Sequence, residues 1–131
     1  MVVASDLFSG LGATVGDIVP IRRVVNNLAA GRTISEAWLG VKGGYSDADA
    51  DALFPIKNIT TTNVAGTGQI EDDGTTDGSA VIRFDLTNTD TIAPTPGQTY
   101  YYDIQIKLDS GDEWTIESGT CAWQSQVVEA T

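Results

Sequence analysis

Tyr100-Tyr101-Tyr102-Asp103-Ile104-Gln105-Ile106-Lys107-Leu108, then Asp109-Ser110-Gly111-Asp112, then Trp114 and Ile116, is the stretch on which the fold turns. Tyr100, Tyr102, Ile104, Ile106 and Leu108 alternate with Tyr101, Asp103, Gln105 and Lys107. Successive side chains of a strand point to opposite faces, so this period of two sorts the first set onto a buried face and the second onto an outward one. Asp109-Ser110-Gly111-Asp112 reads as a tight hairpin, and Trp114 and Ile116 share one parity on the returning strand.

The same grammar extends in both directions. Ala80, Ile82, Phe84 and Leu86 alternate with Val81, Arg83 and Asp85. Ser35, Ala37, Leu39 and Val41 alternate with Glu36, Trp38, Gly40 and Lys42, ended by Gly43-Gly44. Residues 17–25 form a β-branched run, 26–31 a turn, 56–64 a strand rich in Ile and Thr, 68–71 a short strand and 119–128 a last one. Residues 46–54 allow one helical turn with Ser46 as N-cap and Asp49 three positions on. Residues 87–93 allow another, stopped by Pro94 and Pro96-Gly97. About seven or eight short strands with no sustained helical period predict an all-β, antiparallel β-sandwich, with a small closed barrel as the alternative.

The 131 residues suit one domain, here residues 17–131. Residues 1–16 differ: Val2, Val3, Leu7, Phe8 and Leu11 are interleaved with Ser5, Ser9, Gly10, Gly12 and Gly16. That mixture reads as a first edge strand or as an extended N-terminal arm lying on a neighbouring subunit, since exposed apolar side chains are a liability unless covered. No run approaches the about 20 apolar residues of a membrane span, and the start lacks a cationic region followed by an apolar block, so the chain is expected to be made and assembled in a cytoplasm.

Charge and residue types exclude several functions. Seven Lys plus Arg against eighteen Asp plus Glu give a net charge of −11. Such a chain repels phosphate backbones and anionic membrane faces. Without histidine there is no Ser-His-Asp or Cys-His pair and no histidine-ligated zinc. The single Cys121 has no partner for an intrachain disulfide, no cationic neighbour in sequence and a strand-like setting between Thr120 and Ala122. Asp47, Asp49 and Asp51 have the spacing of a calcium loop's first ligands. The positions that should hold its Gly and its bidentate Glu are Ala52 and Asn58. Glu71, Asp72, Asp73 and Asp77 read as a solvated hairpin loop that discourages edge pairing. No catalytic, metal or cofactor site is expected. Of the aromatics, Trp38, Trp114 and Trp123 read either as a carbohydrate or partner platform or, as such residues more often are, as core. Trp38 shares its parity with Glu36 and Lys42, opposite Leu39 and Val41, and reads either as core at a sheet edge or as an interface residue, and Tyr101 is the outward tyrosine of its trio.

Residues 96–106, Pro-Gly-Gln-Thr-Tyr-Tyr-Tyr-Asp-Ile-Gln-Ile, resemble the corner-and-strand segment of immunoglobulin-like sandwiches such as fibronectin type III domains. That resemblance implies that the hydroxyl of Tyr100 bonds back to the preceding corner. A wider set of segments is similar to tailed-phage virion structural proteins, in particular to the N-terminal domain of phage baseplate upper proteins. They are 16–23 (Gly-Asp-Ile-Val-Pro-Ile-Arg-Arg), 37–42 (Ala-Trp-Leu-Gly-Val-Lys), 101–107 (Tyr-Tyr-Asp-Ile-Gln-Ile-Lys) and 118–120 (Ser-Gly-Thr).

The phage resemblance implies a non-enzymatic virion protein. The expected role is a capsid decoration, or cement, protein that binds the major capsid protein or another virion protein and assembles in threes. The expected interface residues are Val2, Val3, Leu7, Phe8 and Leu11 of the arm, the cations Arg22 and Arg23 with Arg32 nearby, and the aromatics Trp38 and Tyr101. A tail or baseplate adaptor of the same fold is the alternative, and a carbohydrate-binding module using Trp38 and Tyr101 is a third reading.

Overall fold

The computed structural model describes residues 19–28, 31–44, 46–76, 78–92, 95 and 97–122, and every structural statement below concerns these residues. Seven strands succeed one another: β1 (Val19–Val25), β2 (Ile34–Lys42), β3 (Lys57–Ile59), β4 (Gly68–Asp72), β5 (Ala80–Leu86), β6 (Tyr100–Leu108) and β7 (Glu113–Cys121). A 3-10 turn at Asp49–Asp51 and a short helix, α1 (Asn88–Ile92), lie between them. They form two antiparallel sheets, one ordered β1-β5-β4 and the other β3-β2-β6-β7, rather than one closed barrel. The chain changes sheet after β1, after β3 and after β5. With β1 to β7 standing as strands B, C, C′, D, E, F and G, this is the order of an immunoglobulin-like sandwich.

The alternation read from sequence is what buries the core. On β5, Ala80, Ile82, Phe84 and Leu86 are buried and the residues between them are not; on β6 the same holds for Tyr100, Tyr102, Ile104, Ile106 and Leu108. Phe84, Ile21, Leu39, Ile59, Ile70, Ile82 and Ile104 meet between the sheets, all essentially without solvent contact. Each such side chain contributes about 1.5–3 kcal/mol when it leaves water. The Asp109–Asp112 turn closes with Leu108 N–H on the Asp112 carbonyl at 2.9 Å and Gly111 N–H on the Leu108 carbonyl at 2.9 Å. The backbone N–H of Thr95 donates to the Tyr100 hydroxyl at 2.7 Å, the corner bond that the resemblance implied.

Five local expectations are corrected. Trp114, read as core, stands 60% exposed on β7. Ser35 is exposed and Ile34 buried, because the pairing of β2 with β6 slips between Ile34 and Glu36 and moves the parity by one. The expected strand 56–64 shrinks to Lys57–Ile59. Beyond it Thr62 N–H turns onto Thr60 Oγ1, and Val64 bridges to Gly68 as the chain crosses to the other sheet. The helical turn is the shorter Asp49–Asp51, with Ala48 rather than Ser46 at its N-cap and no side-chain cap; the residue between them, Asp47, closes the Gly44 turn, accepting Gly44 N–H at 2.8 Å. The return strand and the first part of the expected last strand are one element, β7, which absorbs a bulge where Ile104 faces Glu117 and Gln105 faces Thr115. Helix α1 falls where expected. Thr87 and Asp90 cap it reciprocally, Asp90 N–H on Thr87 Oγ1 at 3.3 Å and Thr87 N–H on Asp90 Oδ2 at 2.9 Å.

Candidate functional site

Where the ionisable side chains sit decides which surfaces can meet a partner. All seven Lys and Arg residues pair with carboxylates inside the fold. Arg22, on the outward side of β1, is exposed and forks onto Glu71 at 2.6 and 3.0 Å, and Arg83 reaches the same carboxylate at 2.7 Å. The hydrogen bond from Arg22, with that of Arg83 behind it, holds the Glu71 carboxyl below its ordinary range. Arg23 points the other way. Its guanidinium is only 13% exposed and lies against the buried Glu117 of β7, Nε to Oε1 at 2.9 Å. The Tyr102 hydroxyl donates to the other Glu117 oxygen at 2.6 Å, and burial together with that contact pushes the Tyr102 hydroxyl pKa up. Arg22 is thus engaged on the outside of the three-stranded sheet, and Arg23 is an internal tie between sheets. Arg32, exposed, approaches Asp109 at 3.5 Å.

On the opposite flank Lys57 is buried although charged. Its Nζ pairs with Asp90 Oδ2 at 2.7 Å, donates to the Gly66 carbonyl at 2.7 Å, and stands 5.7 Å above the Phe54 ring. Cys121 is buried on β7, and desolvation pushes its thiol up to about 12, which keeps it from forming a nucleophilic thiolate near neutrality. The acidic segments do local work. Asp72 accepts Gly74 N–H, Asp73 accepts Thr75 N–H and its hydroxyl, and Asp49 pairs with Lys42 at 2.7 Å. Among the described residues no group of three or more carboxylates or cysteines is arranged to hold a metal ion.

Trp38 and Tyr101 are brought to one surface, the outward face of the four-stranded sheet. The register sets Trp38 of β2 between Asn58 of β3 and Gln105 of β6, Gly40 beside Asp103, and Lys42 beside Tyr101. Four residues of strand separate the Trp38 row from the Tyr101 row, about 13 Å. Between them Gly40 leaves a depression. A trough of about 290 Å³ runs over Trp38, Gly40, Ile56, Asp103 and Gln105. A smaller hollow of about 160 Å³ continues it past Gly40 and Asp103 to Tyr101 and Ser118. Burial raises the Asp103 carboxyl above its ordinary range, against the opposing pull of Lys42 and of a hydrogen bond from Gln105.

Of the nine residues expected at an interface, two therefore share this face, Trp38 and Tyr101. Arg22 and Arg23 lie elsewhere in ion pairs, and Val2, Val3, Leu7, Phe8 and Leu11 lie outside the described residues, as does Trp123. Sequence reading missed Gly40, Asp103 and Gln105. Their signal was present in the parity they share with Trp38 and Tyr101. No family model, curated protein or solved structure matches the chain.

Proposed function

We propose that this chain is a non-enzymatic structural protein of a tailed-phage virion, a decoration subunit that sits on the outer capsid surface and adds to the strength of the shell. The observation that carries the reading is the outward sheet face on which Trp38 and Tyr101 flank Gly40. An aromatic-bearing face on a rigid sandwich is a surface suited to docking. The strand-and-turn text similar to phage virion proteins supports the context. The charge distribution supports the outside position: with every cation paired internally and a net charge of −11, the remaining surface is acidic, which keeps decorated particles apart and soluble. Many copies on a regular shell multiply a weak contact into durable attachment.

Counting the protein on purified particles tests this. A decoration subunit is present in hundreds of copies, and particles lacking it release their genome at lower temperature or milder osmotic shock. A handful of copies clustered at the tail would mean a baseplate adaptor instead, and particles equally robust without it would remove the cement role.

A further inference from the structure

The trough beside Trp38 has a chemistry that selects its occupant. Asp49, Asp103 and Glu113 border it against one cation, Lys42, whose ammonium is held by Asp49 at 2.7 Å. Asp103 sits half-buried at the trough's centre and enters no ion pair among the described residues. Gly40 supplies the depth: a Cβ there would stand 3.7 Å from the Ile56 side chain and 3.8 Å from Asp103 Oδ1, so larger side chains would fill the space. The size, about 290 Å³, is near the lower end of small-ligand sites at about 300 Å³. An indole beside a carboxylate that no cation contacts, Lys42 acting on it only through space, is complementary to a flat cation with several N–H donors. A guanidinium stacks on an aromatic face while forking onto a carboxylate; a compact ammonium does this less well. Among the described residues no Lys or Arg is left unpaired to take that place.

We propose that this trough is the seat of an arginine side chain presented by the protein on which the chain docks, its guanidinium forked onto Asp103 and stacked against Trp38. This rests on the reading of the outward sheet face as the docking face and names the chemistry its partner must bring. Lys42 and Asp49 form the rim that orients the incoming side chain, and Gln105 holds Asp103 in place.

The test is a titration of the full chain, followed by the Trp38 indole N–H and the Gly40 amide in nitrogen–proton correlation spectra. The probes are acetyl-Gly-Arg-Gly-amide, its lysine and citrulline counterparts, and maltohexaose. The arginine peptide is expected to shift both signals saturably, with a dissociation constant on the order of millimolar for an isolated side chain. Citrulline, the same shape without charge, is expected to shift neither. Asp103→Asn and Gly40→Val should each weaken arginine binding at least about tenfold, the second by filling the trough. Asp85→Asn, the same charge change on β5 of the other sheet, should leave it unchanged. Equal response to lysine and arginine, response to maltohexaose alone, or silence with all four probes would each overturn the arginine seat. The copy count separates the two proposals. Hundreds of copies with no arginine response keep the shell reading and remove the arginine. An arginine response with a handful of copies does the reverse.

Discussion

The tie between Arg23 and Glu117 is the interaction whose removal should be felt most, and a double-mutant cycle measures it. The two side chains are 13% and 6% exposed and come from edge strands of different sheets, β1 and β7. Replacing Glu117 with Leu leaves the Arg23 guanidinium buried without its counter-charge, a loss of about 3–5 kcal/mol for a fully buried pair. The residual exposure of Arg23 puts the ionic part near the lower end. The Tyr102 hydroxyl also loses the acceptor it holds at 2.6 Å, which adds about 1 kcal/mol, so Glu117→Leu should cost about 4 kcal/mol. Arg23→Met, which strands Glu117 with only Tyr102, should cost about 3 kcal/mol. The double variant removes both charges and lines the gap with hydrocarbon, so it should cost at least about 2 kcal/mol less than the sum of the singles. Urea unfolding followed by tryptophan fluorescence reads all four corners, with an unchanged slope as the check that the same surface unfolds. Singles that add to within about 0.5 kcal/mol in the double variant would refute the tie.

Four shorter predictions follow from the same structure. Lys57→Met strands the buried Asp90 carboxylate and should lower stability by about 3 kcal/mol in the same urea assay, even though methionine fits an apolar site better than lysine. Gly68→Ala drives a Cβ into the Arg83 carbonyl oxygen at φ +128°, and should cost about 3 kcal/mol or more. Gly111→Ala, at φ +94° with open space around it, should cost only about 1–2 kcal/mol by thermal melting. Cys121, its thiol pushed up to about 12, should resist iodoacetamide at pH 8 in the native chain and react fully in urea; rapid native labelling would contradict its burial. Glu71 has its folded pKa held below the ordinary 4.5 by Arg22 and then Arg83. Its contribution is therefore complete above that value and is lost as pH falls through the folded pKa. Melting temperatures taken from pH 6 downward should drop more steeply in the parent than in Glu71→Gln.

Much of the fold was legible because two of its strands, β5 and β6, obey one rule without interruption. On β5 and β6 every second residue is apolar, the hairpin between β6 and β7 carries a glycine at positive φ, and Tyr100 bonds to its corner. The failures cluster where the rule is broken by something the local sequence does not encode. A register slip between Ile34 and Glu36 turned Ser35 outward, and a bulge in β7 let Glu117 face the core behind a segment that reads as half-polar. Strand β3 has three residues, too few to show alternation, so its threonine-rich continuation looked like more strand. The face itself was half visible. The outward parity of Trp38 and Tyr101 could be read, but the trough exists only once β3, β2 and β6 stand in register and set Ile56, Gly40 and Asp103 side by side. The ion pairs were hardest to foresee. Arg23 and Glu117 are 94 positions apart, and their residue types read as surface.

Those ion pairs share a placement that explains why this chain puts charges where hydrocarbon would be expected. Two stacked sheets leave two open flanks, and each is crossed by one buried pair. Arg23–Glu117 spans β1 and β7, and Lys57–Asp90 ties β3 to the helix that follows β5. A flank is narrow and partly wet, so a branched apolar side chain there would keep one side against solvent. A long side chain instead lays its methylenes along the core and carries a head able to reach the other layer. The accessory bonds, Tyr102 to Glu117 and Lys57 to the Gly66 carbonyl, satisfy the remaining hydrogen-bonding capacity that makes such burial tolerable. The arrangement also fixes the outer electrostatics. Cations used to close the flanks and to neutralise carboxylates on the sheet faces leave no Lys or Arg unpaired, so the surface keeps its excess of acid. What holds the two layers together thereby decides the sign of the charge left on the outer surface, which the proposed docking partner would have to complement.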